Sequence, residues 1–105
     1  MQAGDLTERI TIETPATEPD ELGQDALSWL FLAEVWAKAI EGQGREYLKG
    51  GYEAEEKAVF VIRWMEVDAS MRVTWLGRIY DIEQVTGTYR EGWAWLHCTA
   101  RKGVN

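Results

Sequence analysis

The sequence predicts a small, mainly β fold: a barrel or sandwich of six or seven strands with one short helix inserted between them. Three observations predict it. Turn residues recur about every ten residues, and the segments between them alternate polar with apolar residues or are rich in β-branched and aromatic residues. The chain has 105 residues, 46% of them hydrophobic, which is enough for one core and too few for two. Residues 1–105 are therefore expected to form a single domain.

The first strand is predicted over residues 9–13, where polar and apolar residues alternate. It is expected to end at Pro15, since proline cannot donate to a sheet ladder. Residues 16–25 then form a polar loop with two glycine or proline breaks and four acids. The acids are Glu18, Asp20, Glu21 and Asp25.

The next two segments are less regular. Residues 27–41 have helix propensity, but their later part alternates in the manner of a strand, so we predict two strand segments with a break near residues 31–33. Residues 45–57 are the best helix candidate. Gly50 and Gly51 weaken it, because each glycine costs about 1 kcal/mol relative to alanine inside a helix.

The C-terminal half is more regular. Residues 57–65 form a β-branched and aromatic run typical of a central strand. Residues 71–85 predict a hairpin with a two-residue turn at Gly77 and Arg78, where the glycine permits a positive φ. A further turn is predicted over residues 87–92 and a last strand over residues 93–101.

The formal charge of −7, from 18 acidic and 11 basic residues, argues against binding nucleic acid or an anionic membrane through charge attraction. No apolar run approaches the roughly 18 residues of a membrane span, and the N-terminus lacks a signal peptide pattern. Residues 1–56 carry a balance of −9 and residues 57–105 a balance of +2. Two interpretations stay open: one more acidic flank of an ordinary domain, or a subunit whose copies meet head to tail.

No catalytic, metal or cofactor site is expected. His97 and Cys98 adjoin on the last predicted strand, so their side chains point to opposite faces and cannot act together. Cys98 is expected in the core and His97 at the surface or rim. The acidic run 20–25 does not match the spacing of an EF-hand loop, and one histidine with one cysteine excludes the usual zinc sets. Paired carboxylates stay possible, although no pair is singled out.

Six tryptophans are many for this length, and a small barrel cannot enclose all of them. They are Trp29, Trp36, Trp64, Trp75, Trp93 and Trp95. On the last strand Trp93 and Trp95 lie opposite Leu96 and Cys98, so one face of that strand offers aromatic surface. It is either an interface, which tryptophan commonly anchors, or ordinary packing with exposed rims.

The order of several short motifs carries a resemblance that spans about residues 3–100. The motifs are Ala3-Gly4-Asp5-Leu6, Arg9-Ile10-Thr11-Ile12, Pro15, Asp20 to Gly23, Trp29, Val35-Trp36-Ala37, Gly44-Arg45-Glu46, Ile62-Arg63-Trp64, Met71-Arg72-Val73, Gly77 to Ile82 and Leu96-His97-Cys98. Together they resemble the phage head-tail joining proteins, the small head-completion (adaptor or stopper) proteins of long-tailed phages and prophages. Gly50-Gly51 and the tryptophan-rich last strand depart from the family pattern.

The resemblance implies a structural role and no enzyme activity. It implies a ring, typically twelve-fold, that docks below the portal, helps retain the packaged DNA and provides the tail attachment site. The implied partners are further copies of the chain, portal or adaptor proteins of the head, and a tail-completion protein. DNA would pass through the ring without sequence-specific binding, and no membrane is involved. The implied location is the head-tail interface of the virion, and the bacterial host cytoplasm during assembly.

Loop 15–25 and the helix-bearing segment 42–56 are expected to project from the barrel. The candidate interface residues are Asp20, Glu21, Arg45, Glu46, Tyr47, Tyr52, Trp93 and Trp95. The alternatives are a tail-completion or tail-terminator protein, and a non-viral small β-barrel module that binds protein.

Overall fold

Six antiparallel strands form the fold in the computed structural model, which describes residues 2–41 and 55–101. A short 3-10 helix over Ala3–Asp5 comes first. The strands are β1 (Glu8–Pro19), β2 (Asp25–Glu41), β3 (Glu55–Arg63), β4 (Arg72–Trp75), β5 (Arg78–Thr88) and β6 (Trp93–Arg101). They close into a barrel in the order β1-β2-β3-β6-β5-β4. The predicted mainly β class is confirmed, with six strands described.

The core lies inside the barrel and is built by the alternation of inward and outward residues along each strand. Its buried members are Ile10, Ile12, Ala37, Ala58, Phe60, Ile62, Val73, Trp75, Tyr80, Ile82, Ala94, Leu96, Cys98 and Ala100. Phe60 occupies an aromatic cluster, with ring centroids 5.4 Å from Trp75 and 5.3 Å from Tyr80, both edge to face. This geometry is the one that aromatic rings favour in cores.

The first strand is longer than predicted. We expected β1 to end at Pro15, and this prediction is wrong: β1 continues to Pro19, and Pro15 lies opposite Trp29 of β2. Beyond Glu13, β1 has a neighbour on one side only, and a proline is tolerated there because its missing N–H can face away from that neighbour. The predicted loop over residues 16–25 is correspondingly reduced to the turn between Pro19 and Asp25.

The predicted break near residues 31–33 is a β-bulge within one continuous strand. Ile12 lies opposite Ala33 and Glu13 opposite Phe31, so Leu32 is the extra residue on β2. A bulge shifts which face each side chain takes, and the alternation of residues 33–39 therefore does not continue into residues 27–31.

The predicted helix over residues 45–57 falls mostly outside the described residues. Its last three residues are described and are strand, so the prediction is wrong there: Glu55 and Lys57 lie opposite Arg101 and Thr99 of β6. Pairing with a long neighbouring strand overrides the local helix propensity of these charged residues.

The hairpin predicted over residues 71–85 is confirmed, with its turn one residue earlier. Leu76 and Gly77 form the turn with φ of 52° and 76°, and Trp75 lies opposite Arg78. Two consecutive positive φ values are typical of the tight turn that matches strand twist. β5 runs on to Thr88, so the following turn is shorter than the predicted 87–92, and β6 has its predicted bounds.

Candidate interaction surfaces

The first candidate surface is a two-stranded arm, residues 14–30, in which the strand ends of β1 and β2 pair only with each other. Its turn is ordered by Asp20, whose Oδ1 accepts hydrogen bonds from the backbone N–H of Leu22 and Gln24, both at 2.9 Å. Six residue steps separate the pair Glu13–Phe31 from the pair Pro19–Asp25, so the arm extends about 20 Å from the barrel.

The arm combines acidic charge with exposed apolar side chains. It contains Glu18, Asp20, Glu21 and Asp25 and no lysine or arginine. Leu22 at its tip is 83% exposed and Leu27 68% exposed. Large apolar side chains left exposed beside acidic ones are the composition expected of a surface that another protein covers.

Arg72 fixes the base of the arm to the barrel. Its guanidinium lies 4.3 Å from the centre of the Trp29 ring, and its Nε donates a 2.9 Å hydrogen bond to Oε1 of Glu13. Thr74 donates to the same carboxylate oxygen at 3.3 Å. The partly buried ion pair and the stacked ring fix the base of the arm against β4, and so set the direction in which the arm leaves the barrel.

The second candidate surface is the β6 face, which consists of Arg63, Arg90, Trp93 and Trp95. Trp93 and Trp95 alternate with buried residues along β6 and are half-buried on its outer side. The Arg63 guanidinium lies 5.6 Å from the centre of the Trp93 ring, and Arg90 is exposed in the turn just before Trp93. Within residues 2–41 and 55–101, neither arginine forms an ion pair.

A shallow depression of about 330 Å³ adjoins the β6 face, lined by Ala3, Leu6, Trp36 and Arg63. Trp36 is half-exposed, and the Arg9 guanidinium lies 4.7 Å from the centre of its ring. Arg9 is also paired with Glu34. Aromatic rings and arginines therefore continue from the β6 face through Trp36 on β2 to Arg9 on β1, but the charge of Arg9 is already balanced by Glu34.

The predicted interface residues fall into three groups. Asp20 and Glu21 lie at the tip of the arm, and Trp93 and Trp95 lie on the β6 face, on a different side of the barrel. The other four lie outside the described residues: Arg45, Glu46, Tyr47 and Tyr52.

Arg63 and Arg90 are not among the interface residues predicted from the sequence. Arg72 and Arg78, by contrast, are paired with Glu13 and Glu56. The signal that identifies Arg63 is its position directly opposite Trp93, which requires the strand register.

His97 and Cys98 lie on opposite faces of β6, as predicted. The Nε2 atom of His97 lies 2.9 Å from Oγ1 of Thr86 on the outer side. Burial, with smaller contributions from Glu83 and Asp81, raises the pKa of the Cys98 thiol to about 12. No group of three or more histidine, cysteine or acidic residues in the described part of the chain is placed to hold a metal ion.

We expect Cys98 to resist thiol reagents while the protein is folded. The thiolate is the reactive form, and a pKa near 12 with a buried sulfur leaves almost none of it at pH 8. The measurement is labelling by a chromogenic disulfide reagent at pH 8. The same protein in concentrated guanidinium chloride is the control and should label at once. Rapid, complete labelling of the folded protein would contradict the prediction.

Comparison with known proteins gives consistent matches over the whole length. The sequence model of the family described as phage head completion protein matches residues 1–103. A chain in the virion of a native gene transfer agent particle is 27% identical with a TM-score of 0.63, and the match covers 94% of this chain and 96% of that one.

A protein of Shigella flexneri 2a, known from its solution structure, shares the fold with a TM-score of 0.68 and 22% identity. That match covers 100% of this chain and 99% of the other. No curated protein sequence matches the chain. Among the described residues, no helix has the length and apolar character needed to cross a membrane.

Proposed function

Because this chain belongs to the phage head completion protein family, whose members are structural virion proteins, we propose that it forms a ring at the joint between head and tail. The ring docks below the portal, helps retain the packaged DNA and provides the attachment site of the tail. Residues 1–105 act as one head-tail joining domain, and assembly takes place in the bacterial host cytoplasm. The observation that carries the proposal is the family match over residues 1–103.

The two candidate surfaces support a ring. A ring of identical subunits needs a heterologous contact, in which two different patches of each subunit meet and the rotation between neighbours closes. The arm and the β6 face are two such patches, and they differ in charge. The proposed ring is twelve-fold. The number of copies counted in assembled particles tests this symmetry.

The charge of the chain supports DNA passage without specific binding. Each copy carries −7, so a ring accumulates negative charge around its channel. Negative charge repels the phosphate backbone, which disfavours sequence-specific binding and lets DNA slide. The lasting partners are accordingly proteins: the portal or adaptor proteins of the head and the tail-completion protein.

The test is deletion of the gene in its parent phage or prophage, followed by electron microscopy of the lysate. We expect separate tails beside tailless heads, many emptied of DNA, and restoration of joined particles by the wild-type gene supplied in trans. Normal infectious particles in the deletion lysate would overturn the proposal.

Purified protein then separates the head role from a tail-terminator role. Added to heads from the deletion lysate before tails are supplied, it should make those heads competent to join tails from a normal source. Heads that join without it, combined with deletion tails of abnormal length, would assign the protein to the tail instead.

A further inference from the structure

We propose that the arm of one copy docks on the β6 face of a second copy of this chain, so that the arm supplies the contact between neighbouring subunits. This inference rests on the proposed ring and names the surfaces that build it. It is carried by three independent observations: the charges of the two surfaces, their unused contacts and their placement on the barrel.

The charges are complementary. The arm carries four acids and no base, whereas the β6 face carries Arg63 and Arg90, with the single acid Glu91 beside Arg90 accepting a hydrogen bond from Thr88. Opposite charges across an interface speed encounter and suppress wrong orientations. Two arms repel each other, as do two β6 faces, so like surfaces are kept from pairing symmetrically.

Both surfaces have contacts left to make. Leu22 and Leu27 on the arm are mostly exposed, and Arg63 and Arg90 have no ion pair among the described residues. The half-buried indole rings of Trp93 and Trp95 leave part of their apolar area exposed on the outer side of β6. A leucine on an indole ring, flanked by arginine–carboxylate pairs, is the composition typical of an interface core and its rim.

The placement favours a head-to-tail contact. β6 pairs with neither β1 nor β2, so Trp93 and Trp95 do not border the arm, whereas Arg63 lies on β3, which pairs with β2. The arm and the β6 face lie at the same end of the barrel. The arm leaves next to Arg72, where the connection 64–71 ends, and Trp64 donates a hydrogen bond to the Gly92 carbonyl in the turn before β6.

A contact between two different patches at one level repeats around an axis instead of ending in a dimer. The arm's reach of about 20 Å places its tip on a neighbour's outer surface and not on its own barrel. Arg72 and Trp29, at the base, set the direction in which the tip is presented.

The test is a charge swap in the phage, with each variant supplied in trans to the deletion. The arm reversal is Glu18→Lys with Glu21→Lys, which leaves the hydrogen bonds of Asp20 in the turn intact, and the face reversal is Arg63→Glu with Arg90→Glu. Each reversal alone should lower the yield of joined particles roughly tenfold or more, because two ion pairs become repulsive. The four changes combined place a reversed arm against a reversed face, and the yield should recover.

The matched control reverses two exposed acids away from both surfaces, Glu41→Lys with Glu83→Lys, which changes the net charge as much as the arm reversal does. It should leave the yield unchanged. Resistance of Cys98 to thiol reagents verifies that each variant is folded.

The outcomes separate this inference from the proposed function. Loss in both single reversals without recovery in the combination overturns the inference and assigns the arm to a portal or tail partner. Unchanged yield in either reversal overturns it as well. In both cases the deletion phenotype still stands, whereas a deletion without a phenotype overturns the proposed function itself.

Discussion

Replacing Phe60 by alanine is expected to lower the free energy of unfolding by about 3–5 kcal/mol. Phe60 is fully buried and its ring contacts those of Trp75 and Tyr80, so the smaller side chain leaves a cavity bounded by three strands. The cavity cannot collapse, because the rings on either side are held by a sheet that closes on itself. Denaturation by urea, followed by tryptophan fluorescence, measures the loss.

Tyr89→Ala is the matched control, since Tyr89 is 77% exposed in the turn before β6. Its effect should stay within about 0.5 kcal/mol. Equal effects of the two substitutions would contradict the assignment of Phe60 to the core. Because domains of this size are stable by only about 5–15 kcal/mol, Phe60→Ala should also reduce the yield of joined particles through the amount of folded protein.

The second large effect is expected at Gly87, where alanine should cost about 2–4 kcal/mol. Gly87 has a φ of 100°, and a Cβ atom built there lies 2.3 Å from the carbonyl oxygen of Trp93. The obstructing atom belongs to the backbone of β6, so it cannot turn aside as a flexible side chain would. Either β6 shifts or the pairing of β5 with β6 is lost near Trp93.

Gly23→Ala separates the two causes. Gly23 also has a positive φ, 78°, but a Cβ atom there meets nothing within 4 Å. It should show only the left-handed backbone cost of about 1–2 kcal/mol, confined to the arm. Thermal unfolding of both variants measures the difference. A Gly87→Ala variant as stable as the wild type would show that β5 and β6 do not approach so closely.

The strands of the C-terminal half could be predicted because local signals suffice for them. β6 alternates apolar and aromatic residues without a break, and Cys98 and His97 fall on the predicted sides. The predicted hairpin turn is one residue late, because Gly77 is the residue of this segment that most easily takes a positive φ and so marks the start of the turn in the sequence. In the structure Leu76 takes the first positive φ, a conformation uncommon for a leucine and imposed by the pairing of Trp75 with Arg78.

The strand pairing of the arm and the arginines of the β6 face could not be predicted, because both depend on contacts between distant residues. Pro15 ends a strand only where the strand has neighbours on both sides, and the sequence does not state how many neighbours there are. Arg72 and Glu13 are 59 residues apart in the sequence, and Arg63 meets Trp93 only through the register of two strands. Neither contact can be inferred until the order and register of the strands in the barrel are known.

The arm also affects how this protein changes over generations. Beyond Glu13 its residues contribute neither to the core nor to the closure of the barrel. A new side chain at Glu21 or Leu22 therefore leaves folding nearly untouched and is tested by selection through binding alone. Substitutions at the tip of the arm can therefore change which surface the arm binds, while the sequence and structure of the barrel stay the same.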